Sequence, residues 1–420
     1  MSDLRTDPIE AFYDRHPYPP PVSDLDALTG RPVDEQERRA AHHLIWPARA
    51  IDTVASVLVA GCGTSQAARH ALRRPDTRVV GIDVSAASID HTRRLAQRHR
   101  LDNLEVHQLA IERVDELGER FDHVVCTGVL HHLADPTAGL RRLRDVLNPG
   151  GAITLMVYAP YGRTGVSLMQ EYCRRLGVTT SRDDLADLVA TLRELPLGHP
   201  LSPLLRESRD FGDDDALADA LLNPRDRAYS VPQLLELLAD AGLRFGRWAR
   251  QAPYLPDCGA ISETPHAARL ADLPDVEQYA ALELFRGTIA RHTVFAFDAD
   301  DPTSGRLDFA DARAARWRPI RIPTAIAVEE RLPPGAVAAL LNRAHSSTDL
   351  VMFVDRAELE TFRRIDGVHT VAALGADRRL VERLHRHDLV VIDASNQRGD
   401  VSQTVGETPD RRGDTGGRDA

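Results

Sequence analysis

The chain has no lysine: all 52 of its basic residues are arginine. With abundant alanine, glycine and proline, that is the mark of GC-rich, bacterial codon usage and carries no functional message. Cysteine is scarce. Cys62, Cys126, Cys173 and Cys258 show neither C-x-x-C spacing nor a disulfide framework, so they are expected to be reduced. No His, Cys and carboxylate group has convincing metal-ligand spacing, and no metal is expected. No run approaches the ~18 apolar residues needed to cross a bilayer. The first residues, charged from Asp3 onward, lack a signal peptide's apolar core. A soluble, cytoplasmic protein is the expectation, with no membrane partner. Positive charge is not in surplus either. A net charge of −11 and a pI of about 5.9 argue against a general phosphate-binding surface and disfavour nucleic acid as a partner.

What is present begins with Val57-Leu58-Val59-Ala60-Gly61-Cys62-Gly63-Thr64-Ser65, an apolar strand running into two glycines and a helix. Asp83 ends the next apolar run. This arrangement places a nucleoside-containing ligand at the carboxyl ends of parallel strands. Glycine lets the backbone turn tightly and approach the ligand, the helix N-terminus offers free amides, and Asp83 can accept from both ribose hydroxyls. A dinucleotide site calls for G-x-G-x-x-G, but the sixth position here is Gln66. S-adenosylmethionine, which has no phosphate, needs only a looser glycine turn.

Further segments alternate in the same way. Leu104 to Ile111 and Phe121 to Cys126 read as the third and fourth strands. The fourth runs into Thr127-Gly128-Val129-Leu130-His131-His132-Leu133. A helix from Pro136 to Leu147, the turn Asn148-Pro149-Gly150-Gly151 and a fifth strand from Ala152 to Tyr158 follow. Strands and helices at this spacing predict a doubly wound α/β sheet. In V-L-V-A-G-C-G-T, F-D-H-V-V-C-T-G-V-L-H-H-L and L-N-P-G-G, taken in that order, the chain resembles the class I S-adenosylmethionine-dependent methyltransferases over about residues 50–160.

The resemblance implies a mostly parallel, seven-stranded Rossmann-like sheet with S-adenosyl-L-methionine as cofactor. It assigns the cofactor to Ala60, Gly61, Cys62 and Gly63, to Asp83 and Val84, to Ala110 and Ile111, and to Thr127, Gly128 and Val129. Ala60 and Ala110 depart from the family, many of whose members carry acids there. Each lost hydrogen bond removes roughly 1 kcal/mol of polar anchoring. Leu243 to Ala249 and His292 to Phe297 match the family's sixth and seventh strands.

Residues 1–50 read as an arm outside the sheet, frozen by Pro17 and Pro19-Pro20-Pro21. The arm reads either as a stiff segment packing its rings on the sheet edge or as a lid with Tyr13, His16 and Tyr18, since similar Tyr/Pro-rich arms in related methyltransferases close over the methionine end of the cofactor. The catalytic domain is expected at 51–300, with a helical cap at about 161–240. There Leu185, Leu188, Val189 and Leu192 mark one apolar helix face. Residues 301–395 read as a separate, small α+β, winged-helix-like module, with helices near Pro334 to Ala344, Arg356 to Arg364 and Asp377 to His387, and a strand from Leu389 to Ile392. Residues 396–420 have hardly any apolar side chain and are expected to be disordered.

Methyl transfer needs alignment of nucleophile and methyl group, and a base only where the acceptor must lose a proton. His131 is the candidate pocket residue just past the fourth strand, with Tyr158, Tyr161 and Arg163 on the same rim. His132 reads as a packing residue, and His42-His43 as helix surface. The expected reaction is methyl transfer to O, N or C of a small molecule, or of a peptide or protein held by the C-terminal module. The alternatives are a catalytically silent cofactor-binding module and, less favoured, an NAD-dependent oxidoreductase.

Overall fold

The computed structural model describes residues 7–26, 33–207, 213–301 and 307–395; the tail read at 396–420 lies outside them. β1 (Ser56–Ala60), β2 (Arg78–Asp83), β3 (Leu104–Gln108), β4 (Phe121–Thr127), β5 (Leu147–Tyr158), β6 (Leu243–Trp248) and β7 (Arg291–Asp298) form one sheet in the order β3-β2-β1-β4-β5-β7-β6. β1 to β5 run parallel, and β7 lies antiparallel between β5 and β6. This is the seven-stranded, Rossmann-like α/β sheet that the sequence predicts. Strand order reverses between β1 and β4, where such sheets open a crevice for ligands.

Alternate residues of β1 feed opposite cores. Leu58 and Ala60 pack with Leu140 and Leu143 of the helix Pro136–Asp145, whereas Val57 and Val59 pack with Ala67 and Ala71 of the helix Gln66–Arg73. A strand buried on both faces has to be apolar throughout, as β1 is. Each Val or Leu side chain removed from water contributes about 1.5–3 kcal/mol.

Helices Thr164–Leu176, Arg182–Arg193 and Asp214–Leu222 form a cap around Val166, Met169, Leu188 and Leu217. Phe12, on the arm helix Pro8–Arg15, inserts into that core. The helix Val231–Asp240 falls within the expected cap range, but it packs Leu234, Leu237 and Leu238 on the sheet.

Beyond β7 the chain forms an α+β unit. β8 (Arg318–Arg321) pairs with β12 (Val390–Asp393), and β9 (Ala325–Val328), β10 (Ala338–Asn342) and β11 (Val351–Val354) make a three-stranded antiparallel sheet. Helices Arg356–Arg364 and Arg378–Arg386 lie where expected. The helix expected near Pro334–Ala344 is instead strand β10. Its Ala-Ala-Leu-Leu run has helical propensity, but pairing on both sides with β9 and β11 and burial of Ala338 and Leu340 override it.

Polar contacts tie this unit to the catalytic sheet. Asp388, buried at 2 % exposure, accepts from Arg247 (3.0 Å), the Ala252 amide (2.9 Å) and His345 (3.1 Å). Asp349 holds Arg286 at 3.1 Å and the Ala260 amide at 2.8 Å. The second half of the arm is a strut between the two. On the helix Glu35–Ile45, Arg39 reaches Asp393 at 3.1 Å, while Trp46, just after it, donates to the Gly150 carbonyl at 3.1 Å. His42 and His43 are therefore not helix surface. Both are buried, with His42 bonded to the Arg49 carbonyl at 2.8 Å and His43 to that of Trp46 at 3.2 Å. Burial pushes His42 down to about 4, so it is neutral.

Removing one partner of a buried pair leaves the other charge uncompensated, at a cost of about 3–5 kcal/mol. Asp388→Asn, which also suits the left-handed backbone there (φ 54°), should destabilise the full chain by about that amount in chemical denaturation. A chain ending at Asp300 should be less soluble and melt lower than the full chain, because Arg247, Arg286 and Arg39 all lose their partners.

Candidate functional site: a cofactor cradle opening into an acceptor cavity

The turn after β1 has its glycines at φ +70° (Gly61) and +52° (Gly63), the left-handed region that L side chains avoid. Space is short as well. A Cβ on Gly61 would lie 2.3 Å from a Val129 methyl, and one on Gly63 would lie 2.8 Å from the Tyr18 carbonyl oxygen. The Gly63 amide donates to Asp83 Oδ2 at 2.8 Å and the Ser85 amide to Oδ1 at 2.9 Å. The carboxylate is thus fixed in orientation with lone pairs left over. Burial raises its pKa, opposed by those amides, which favour the anion.

A cavity of about 1130 Å³ opens at this turn. Gly61, Cys62, Gly63, Asp83 and Val84 line it from β1 and β2. Ala110 and Ile111 line it after β3, and Thr127, Gly128 and Val129 after β4. Ala60 does not: it is fully buried behind the turn, in the core beside Leu58. Gln66 joins the wall and donates to Thr127 Oγ1 at 2.6 Å, which ties the first helix to the end of β4. The cradle a Cβ would fill, the pre-oriented acid on β2 and the apolar Ile111 suit a nucleoside carrying an uncharged ribose.

The first half of the arm lies over this mouth. Tyr13 and Tyr18 line the cavity, Thr64 donates to the Pro19 carbonyl at 2.7 Å, and Ser85 donates to Asp14 at 2.8 Å. Tyr13 donates to Asp219 of the cap at 2.8 Å, and burial followed by that carboxylate raises the phenol well above its usual pKa. His16 faces elsewhere. It pairs with Asp215 at 2.9 Å and packs on Phe12, joining the arm to the cap rather than to the cavity.

On the acceptor side, Tyr158 and Arg163 line the cavity, with the Arg163 guanidinium 3.5 Å above the Tyr158 ring and 3.0 Å from Asp226. Tyr161 is exposed and outside it. The histidines exchange the parts that the sequence suggests. His132 lines the cavity, while His131, 1 % exposed, sits behind it between His132 (ring centroids 4.2 Å apart) and Tyr158 (4.3 Å). Among the described residues neither His131 nitrogen has a hydrogen-bond partner, and burial, with His132 and Arg163 nearby, holds the ring neutral. His132 Nδ1 lies 2.5 Å from the Arg225 carbonyl. A carbonyl can only accept, so Nδ1 carries the proton and Nε2 keeps a lone pair. Asp219 and Arg225 were beyond sequence reasoning because they come from the distant cap segment, with no motif to mark them.

The chain is similar in sequence and fold to known proteins. Residues 58–153 match the family described as Methyltransferase domain. The protein syc1184_c of Synechococcus sp. is 30 % identical over 307 residues, covering 70 % of this chain and 72 % of that one. Ubiquinone biosynthesis O-methyltransferase of Acinetobacter baylyi is 28 % identical over 162 residues, 36 % of this chain and 63 % of the relative. In fold, the chain is similar to PKMT2 from Rickettsia typhi (TM-score 0.58, 15 % identity, 86 % of this chain and 75 % of that one). Its complex with AdoHcy gives a TM-score of 0.54 at 16 % identity, over 79 % of this chain and 65 % of that one. The chain belongs to the class I S-adenosylmethionine-dependent methyltransferases. It is an enzyme whose cofactor is S-adenosyl-L-methionine.

Asp83→Ala removes a charged acceptor and should weaken S-adenosylhomocysteine binding by about 1.5–3 kcal/mol in calorimetry. Gly63→Val should abolish binding and, by striking Tyr18, also release the arm, seen as new protease sensitivity before the cap.

Proposed function

We propose that the enzyme methylates a hydroxyl or amine group of a small molecule and that His132 removes the acceptor's proton. The observation that carries this reading is the His132 tautomer, with Nδ1 committed to the Arg225 carbonyl and Nε2 left as the acceptor on a cavity-lining ring. The bound cofactor supplies an activated methyl group on a sulfonium. The chain's own residues supply the rest. Tyr13 and Tyr18 keep water away from the reacting atoms, and Tyr158, stiffened by Arg163, forms a flat wall against which an acceptor is oriented. Asp219, raised by burial but favoured as the anion by a charged His132, is placed to stabilise the imidazolium once His132 has taken the proton.

The arm favours a small acceptor over a polypeptide. It is fixed at Thr64, Ser85 and Asp219, so the cavity mouth is narrowed from three directions. A hydroxyl acceptor accords with the likeness to ubiquinone biosynthesis O-methyltransferase over 36 % of the chain. The C-terminal unit contributes a wall of the cavity, through Ser346 and Ser347, rather than a separate docking site.

The test starts from cell extract and methyl-labelled cofactor, which identify a labelled product. On that acceptor, His132→Ala should lower kcat by about 10²–10⁴ with little change in S-adenosylhomocysteine affinity. His131→Ala, which removes only a packed ring, should cost far less. An unchanged kcat in His132→Ala would leave the methyltransferase assignment standing and remove the base.

A further inference from the structure

The cavity extends beyond the reacting centre, along the sheet and under the C-terminal unit, and its charge changes sign on the way. Asp83, on β2, and Asp219, in the cap, belong to the cofactor and lid side. At the other side stand Arg291, the first residue of β7, and Arg250, two residues past β6. The register fixes the direction. Thr127 on β4 pairs with Met156, Met156 pairs with Thr293, and Tyr158 pairs with Arg291. Thr293 therefore lies two strand spacings, about 10 Å, from Thr127 at the end of β4, and Arg291 lies two residues further along β7.

Among the described residues neither arginine makes an ion pair. Most other cavity arginines are committed: Arg163 to Asp226, Arg225 to Asp7 and the His132 carbonyl, Arg113 to Glu116. The nearby carboxylate, Asp388, is already held by Arg247 and His345. The two free guanidiniums also oppose each other. Arg250 is depressed first by loss of surrounding water and then by the Arg291 charge. Asp388 offsets part of that repulsion, but it is already bonded to Arg247 and His345, so two like charges at one cavity favour an arriving anion.

The opposite wall belongs to the C-terminal unit. Ser346 and Ser347 bring hydroxyl donors to the same cavity. Their loop is fixed on both sides by bonds already described, His345 to Asp388 at 3.1 Å and Asp349 to Arg286 at 3.1 Å. Serines held this way line the same cavity as the arginines and are ordered at little further entropic cost.

We propose that Arg250 and Arg291, with Ser346 and Ser347, form a subsite for an oxyanion, a carboxylate or phosphate, carried by the methyl acceptor away from the atom that is methylated. This rests on the proposed function only in placing the acceptor in this cavity. Arginine forks match such groups geometrically, and hydroxyls complete the shell. The C-terminal unit is then part of acceptor recognition, completing a wall that the Rossmann-like sheet leaves open.

Binding is tested first without the natural acceptor, on the full chain saturated with S-adenosylhomocysteine, using inorganic phosphate and, separately, succinate as probes. Saturable binding of at least one probe is expected, with a dissociation constant of about 1 mM for two charge-assisted bonds. R250Q/R291Q should lose it while keeping S-adenosylhomocysteine affinity and melting temperature, and H132A should retain it. Which probe binds decides between carboxylate and phosphate. Absence of saturable binding, or its survival in R250Q/R291Q, overturns the subsite. With the acceptor in hand, R250Q/R291Q should raise KM tenfold or more with kcat nearly unchanged, the reverse of the His132→Ala pattern. An unchanged KM refutes the subsite, and an unchanged kcat in His132→Ala refutes only the base.

Discussion

The site depends on one close approach of backbone to backbone. Gly63 turns at φ +52°, gives its amide to Asp83, and lets the Tyr18 carbonyl come where a Cβ would stand. A single missing side chain thus serves both the orientation of Asp83 and the placement of the arm over the cavity. Neither contact is strong by itself, since a neutral hydrogen bond is worth about 1 kcal/mol net. The steric condition is what makes the arrangement unforgiving. Thr64 and Ser85, on either side, hold the arm where Gly63 permits it to lie.

From that point the chemistry runs along the carboxyl ends of the strands. The proposed cofactor cradle spans β1, β2 and β4, the proposed base stands just past β4, Tyr158 ends β5, and the arginines without an ion pair among the described residues stand at the start of β7 and just past β6. The sheet order lays these stations side by side at strand spacing. What lies outside the sheet serves to fix the far wall. Asp388 and Asp349 anchor the C-terminal unit, and the helix Glu35–Ile45 braces it against β5 and β7 through Trp46. The arm therefore has two jobs, a closure in its first half and a strut in its second.

Local features were legible in the sequence and pairings were not. The glycines, Asp83 and the strand sequence through Tyr158 declare themselves because backbone conformation and two-sided burial restrict which residues fit. Ala60 was misplaced by one position of the turn, since strand periodicity does not say where the last side chain leaves the core. His131 and His132 look alike in sequence. Only the Arg225 carbonyl, brought over by the cap, distinguishes the ring with a fixed tautomer from the ring packed behind it. His42 and His43 look like surface until the C-terminal unit covers them. Strand β10 was hidden by its alanines and leucines, whose helical propensity loses to pairing on both edges.

The central claim, that one glycine turn holds cofactor and arm together, is open to a direct measurement of amide hydrogen exchange with and without S-adenosylhomocysteine. If the turn and the arm are one closing unit, peptides covering residues 8–20 and 61–66 should slow together on ligand addition, while β10 and β12 stay unchanged. Slowing confined to 61–66, with exchange in 8–20 unaltered, would contradict it, because the arm would then lie over the site without depending on what the site holds.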